Sequence, residues 1–121
     1  PGLQIRRVSL RPAAGLARTY RYELVLSQLN GGERYAEGNV ELRLDGKREG
    51  EPASFGFGEL ALGDAVETKF RFKYFQTITG RIQLPEMFEP RWIKVNVAPT
   101  NGFDPLEESY AWGSVVPGGG G

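Results

Sequence analysis

Two pairs of carboxylates, Glu86 with Glu89 and Glu107 with Glu108, are the first side chains in this sequence that could act as the acid and base of a glycoside hydrolysis. That reaction needs both groups to converge on one bond. Neighbouring residues of a strand point to opposite faces, which separates Glu107 from Glu108, and Glu86 and Glu89 lie between Pro85 and Pro90 in a segment where acids are solvated. A serine nucleophile would need a base. The chain has no His, and Ser9, Ser27, Ser54, Ser109 and Ser114 stand in no G-x-S-x-G setting, which leaves only a serine paired with lysine. Asn101, Asp104, Glu107 and Glu108 could offer oxygens to Ca²⁺, but their spacing is not that of an EF-hand loop, and Asp104-Pro105 reads as a turn. Cys is absent, so there is neither thiolate chemistry nor a disulfide. Gly31-Gly32 and Gly56-x-Gly58 open no helix and form no phosphate loop. The expectation is a domain that is not an enzyme and holds no cofactor and no metal.

Binding is the remaining class of chemistry, and two sets of exposed residues carry it. Lys69, Arg71 and Lys73 share one parity and would form a basic stripe, joined by Arg81 or Lys94 if their strands were neighbours. Cross-strand pairing with Glu41, Glu23 or Glu67 is the competing use of those charges. Trp92 falls on the wet parity of its strand, where an indole anchors a partner or a sugar, or else covers an edge. The run Phe70-x-Phe72-x-Tyr74-Phe75 invites comparison with an RNA-stacking sheet, but no helices are expected behind it, so it reads as core. Fifteen basic and fifteen acidic residues cancel, which removes any long-range field toward nucleic acid.

The elements that must hold these residues are strands. Period-2 alternation recurs along the chain, whereas no window keeps a helical stripe for three turns without Gly or Pro. Leu3 to Leu10 changes parity, so a bulge near Arg6-Arg7 would turn Leu3, Ile5, Val8 and Leu10 inward. Tyr20 to Leu29 puts Tyr20, Tyr22, Leu24 and Leu26 inside, and Asn30-Gly31-Gly32 supplies a turn. Gly38 to Asp45 buries Val40, Leu42 and Leu44, with Asp45-Gly46 as the next turn signal and a longer loop over Lys47 to Glu51. Ala53 to Phe57 offers Phe55 and Phe57. A fifth strand places Val66, Phe70, Phe72 and Tyr74 on one face. Thr77 to Leu84 contributes Ile78, Ile82 and Leu84; Arg91 to Val97 contributes Ile93, Val95 and Val97, with Trp92, Lys94 and Asn96 outward. A last strand, Glu108 to Val116, sets Tyr110 and Trp112 together.

Short strands separated by turns every ten residues or so build an all-β, antiparallel immunoglobulin-like β-sandwich of seven to eight strands, without the Cys pair of true immunoglobulin domains. At 121 residues one core suffices, so residues 1–117 are expected to be a single sandwich domain, and 118–121 a Gly tail, flexible or an expression remnant. No apolar run approaches the ~20 residues of a membrane span, so the chain as given reads as soluble. It opens at Pro1 rather than Met, consistent with a piece of a longer protein.

The segment from Phe70 through Tyr74-Phe75, Gly80 and Leu84-Pro85 to Pro90, followed by Ile93-x-Val95-x-Val97 and Tyr110-x-Trp112, resembles the C-terminal domain of a family of uncharacterised proteobacterial membrane proteins. Tyr22 to Gln28 fits the same pattern, and the resemblance covers Leu3 to Val116. Members look like single-pass inner-membrane proteins with a coiled-coil stem ahead of this β domain. The resemblance implies a location on the periplasmic face of the bacterial inner membrane. It also implies membrane attachment only through a missing N-terminal segment, and assembly with copies of itself through a missing coiled coil. It supplies no catalytic residues. The expected role is a non-catalytic protein-protein interaction or scaffold module of a bacterial envelope protein, with a protein partner in the envelope, no nucleic acid, and Trp92, Lys94, Lys69, Arg71 and Lys73 as the contact. The alternative is a carbohydrate-binding module in which Trp92 with Tyr110 or Trp112 stacks on sugars of peptidoglycan or another glycan.

Overall fold

Val40, Leu42 and Leu44 on one strand and Val97, Val95 and Ile93 on another are buried, and they face each other in direct register, Val40 with Val97, Leu42 with Val95 and Leu44 with Ile93. Alternation of this kind forces one side of a sheet away from water. The computed structural model describes residues 2–30 and 34–117. Its elements are β1 (Leu3–Pro12), β2 (Thr19–Gln28), β3 (Ala36–Arg48), β4 (Glu51–Gly56), a helical turn α1 (Phe57–Leu60), β5 (Lys69–Phe72), β6 (Phe75–Gln83), β7 (Phe88–Pro99), β8 (Leu106–Ala111) and a second helical turn α2 (Trp112–Val115).

All the strand pairs are antiparallel. One sheet has the order β1-β2-β6; the other has the order β4-β3-β7-β8, with β5 also on β3. The long strand β3 makes this possible, since Ala36 to Asn39 pair with β5 and Arg43 to Arg48 pair with β4, while β7 occupies the opposite edge. The inner faces meet in one core that joins Leu10, Tyr22, Leu24, Leu26, Ile78 and Ile82 to Val40, Leu44, Phe70, Phe72, Ile93 and Val97. This partition of strands between two facing sheets is the expected immunoglobulin-like sandwich. The bulge expected near Arg6-Arg7 is present, because the β1 register shifts between Ile5 and Arg7.

Several local readings need correction. Asp45-Gly46 is not a turn: β3 runs on to Arg48, and the hairpin reverses at Glu49 and Gly50, both with positive φ, 51° and 84°. Gly46 instead marks a register shift against β7, where a Cβ would collide with the carbonyl oxygen of Glu89 and lie 3.0 Å from Pro90 Cα. Tyr74 is not core. β5 stops at Phe72, and the chain then bends across to the other sheet, which leaves Tyr74 and Phe75 64% and 66% exposed. Phe57 is buried, but from α1 rather than from β4, where it meets Tyr22 edge-on at 5.0 Å. The last strand ends at Ala111, and Trp112 to Val115 coil into α2, whose Val115 is buried. The Gly31-Gly32 turn and the tail at 118–121 lie outside the described residues.

Candidate functional site

The outward residues of the β3, β5 and β7 sheet include every residue of the expected contact except Lys73, but the structure does not bring them together. Lys69 and Arg71 oppose Asn39 and Glu37 at one end of β3, whereas Trp92 and Lys94 oppose Asp45 and Arg43 toward the other end and across its opposite edge. The positions facing Lys69 and Lys94, Asn39 and Arg43, are four residue steps apart along β3, about 13 Å. Lys73 follows the end of β5, at the bend, and is half-buried. Arg81 belongs to the other sheet altogether.

Two cation–carboxylate pairs hold charges on this face. Arg71 Nε donates to Glu37 Oε1 at 3.1 Å, and its guanidinium lies 3.9 Å from the Tyr35 ring centre. Lys94 Nζ stands 3.5 Å from Asp45 Oδ2, and Asp45 also accepts from the Ser54 hydroxyl, which in turn accepts from Arg43 at 2.9 Å. Cross-strand pairing therefore holds here, with Glu37 and Asp45 as the side-chain partners; Glu67 instead accepts from the Lys69 backbone N–H at 3.0 Å. Trp92 stands exposed on this face: its indole is 51% exposed, in the cross-strand row of Asp45 and Ala111 and beside the Lys94 pair.

The other chemical candidates are dispersed. Tyr110 opposes Ile93, on the core side of the sheet that displays Trp92 outward, and its hydroxyl donates to Glu108 at 3.2 Å. Burial, then the Glu108 carboxylate and that hydrogen bond, push the Tyr110 hydroxyl up to about 12. Burial, and secondarily the charge of Glu67, also raise Tyr22. Trp112 packs edge-on against Tyr20 at 5.1 Å. Asn101 uses its side chain to bind the backbone of Tyr35 and Glu37. Glu89 pairs with Arg91 at 3.1 Å and Glu86 approaches Arg18 at 3.7 Å. Among the described residues no three side chains of His, Cys, Asp or Glu group at metal-binding distance.

Sequence reasoning missed the outward face of β1, β2 and β6. Direct register aligns Arg11 with Arg21 and Arg21 with Arg81, one arginine from each of three neighbouring strands. The next row is Ser9, Glu23 and Thr79, and the one beyond holds Arg7, Val25 and Thr77. Ser9, Glu23 and Thr79 in the middle row make a floor, and arginines on either side make walls, giving an open cleft of about 650 Å³. Arg7 Nε contacts Glu23 Oε1 at 3.1 Å; among the described residues Arg11, Arg21 and Arg81 make no ion pair. At the far end of the same face a hollow of about 400 Å³ is lined by Arg6, Val25, Ser27, Gln28, Tyr74 and Phe75. The signal available in sequence was Arg7-x-Ser9-x-Arg11 with Arg21 on the wet parity of β2.

A family of unknown function, DUF6776, matches residues 1–95. No curated protein sequence matches the chain. Among solved structures it is similar to part of a mutant β-glucosidase from Listeria innocua in complex with laminaribiose, at 11% identity and a TM-score of 0.41, over 90% of this chain and 15% of that one. It is also similar to part of an inactive mutant of a GH20 exo-β-N-acetylglucosaminidase from Vibrio harveyi, at 10% identity and a TM-score of 0.36, over 85% of this chain and 17% of that one. The chain thus spans under a fifth of either protein, and likenesses at this level say nothing of what it binds.

Proposed function

The chain belongs to the DUF6776 family of unknown function, and we propose that this domain is a non-catalytic module that binds a protein partner in the bacterial cell envelope. The observation that carries the reading is Trp92. A half-exposed indole on a face whose neighbouring charges are already paired has no role in the core, and it combines an apolar centre with the polar rim of Lys94 and Asp45. Interface anchors have that anatomy, and Trp is enriched among them. The envelope setting is supported by the resemblance of the Phe70 to Pro90 segment to domains of inner-membrane proteins. Trp92 and Lys94 form the contact in this proposal; Lys69 and Arg71 lie too far along the sheet to share a small footprint with them. A sugar platform of Trp92 with Tyr110 or Trp112 is disfavoured, since Tyr110 is on the core side of the sheet and Trp112 is engaged by Tyr20.

Affinity capture from envelope extract, run in parallel with the wild-type domain and with Trp92→Ala, tests this. A hot-spot loss of about 2 kcal/mol corresponds to roughly 30-fold weaker retention of the same protein by the variant. Equal retention by both baits, or a saturable Trp fluorescence change with peptidoglycan fragments and no retained protein, overturns it.

A further inference from the structure

Neighbouring strands lie about 4.8 Å apart, so the backbone positions of Arg11, Arg21 and Arg81 span about 10 Å and set like-charged residues directly opposite one another, with the Arg81 guanidinium reaching the Gly63 loop at the sheet edge. That arrangement works against pairing of the three strands. Among the described residues no carboxylate lies within ion-pair distance of the row, and Glu23, on the cleft floor, is held by Arg7 at 3.1 Å. Each guanidinium of the row presents a planar fork of donors suited to two oxygens of one anion. Ser9 and Thr79 add hydroxyl donors beside the row, within the same cleft.

We propose that this cleft binds a ligand bearing two or more phosphate groups, through Arg11, Arg21 and Arg81. The number of phosphates follows from the span, because a single phosphate meets one or two forks and leaves the repulsion of the third unrelieved. Phosphate fits better than carboxylate, since its extra charge and tetrahedral oxygens can be shared by neighbouring forks on adjacent strands. A nucleic-acid strand fits less well: the Ser9, Glu23 and Thr79 floor offers no aromatic ring on which a base could stack. The attraction is local, because the chain as a whole carries no net charge, and it weakens with salt. This site lies on the sheet opposite Trp92, so it stands or falls independently of the proposed protein contact.

Calorimetric titration of the 121-residue chain with sodium tripolyphosphate and with orthophosphate at low salt is the test, followed by vesicles of phosphatidylcholine with and without diphosphatidylglycerol. Tripolyphosphate should bind at least about tenfold more tightly than orthophosphate, with affinity falling as salt rises. Arg21→Thr and, separately, Arg81→Thr should each weaken it about tenfold, Arg21→Lys by less, and Arg91→Thr not at all. Vesicle binding that tripolyphosphate displaces identifies a lipid-borne bisphosphate; tripolyphosphate binding without vesicle binding identifies a soluble one. Equal affinity for the two phosphates, no binding in any arm, or the same loss on Arg91→Thr as on Arg21→Thr overturns the proposal.

Discussion

The outer face of β3, β5 and β7 and that of β1, β2 and β6 both display cations on a solvated sheet, yet they place them oppositely. On the first, Arg71 faces Glu37 and Lys94 reaches Asp45, so these charges neutralise across strands beside an exposed Trp92. On the second, Arg11, Arg21 and Arg81 line up with one another, and among the described residues Arg7 alone of these four pairs with a carboxylate. A net charge of zero conceals this segregation entirely. Fold stability accounts for the first face, whereas the second departs from the rule of opposite charges, as sequences do where a ligand supplies what the fold withholds.

The contrast depends on both sheets being held rigidly, and the largest expected effect concerns that support. Phe72→Ala removes one of two buried rings that anchor the four-residue strand β5, at a cost of about 3–5 kcal/mol in urea denaturation. A loss under about 1 kcal/mol would mean that β5 is not held by its core face. Gly46→Ala forces a methyl group onto the Glu89 carbonyl where β3 and β7 shift register, and should cost about 1–3 kcal/mol by the same measurement. An unchanged midpoint would show that the two strands can part there freely. Lys94→Ala breaks an exposed pair and should lower stability by under about 1 kcal/mol, the decrement shrinking in high salt. An increase in stability would remove the contrast between the two faces.

The last expected effect is a pH dependence confined to alkaline solution. Tyr110 holds its proton up to about 12 in the folded chain, so the stability it contributes is complete below the unfolded tyrosine value near 10 and disappears as pH climbs through the folded one. Glu108→Gln removes the carboxylate and should lower the Tyr110 titration, read as the tyrosinate absorbance lost in Tyr110→Phe. An unmoved titration would show burial acting alone.

Much of the inner architecture was legible because a strand buries alternate residues: Phe70 and Phe72, Ile93, Val95 and Val97, and Leu24 and Leu26 all face the core as their parity requires. Tyr74 broke the pattern because periodicity carries no mark of where a strand ends and the chain changes sheets. Asp45-Gly46 misled for a related reason, since a tight turn and a close backbone approach favour the same glycine. For the candidate sites, parity alone put Trp92 on the wet face. The arginine row was beyond reach: Arg81 is far from Arg11 and Arg21 in sequence, and only the order β1-β2-β6 with its register aligns them. The same missing strand order allowed Lys69, Arg71, Lys73 and Lys94 to be read as one patch.

Urea denaturation of the wild-type chain and Arg21→Thr, each at low and at high ionic strength, tests most directly whether the arginine row strains the fold. Replacing the central guanidinium with a good strand former should raise stability by about 0.2–1 kcal/mol at low salt, and the gain should fade as salt screens the row. A variant less stable than wild type at low salt would mean that Arg21 serves the fold, and the case for a row kept for an anion would fail.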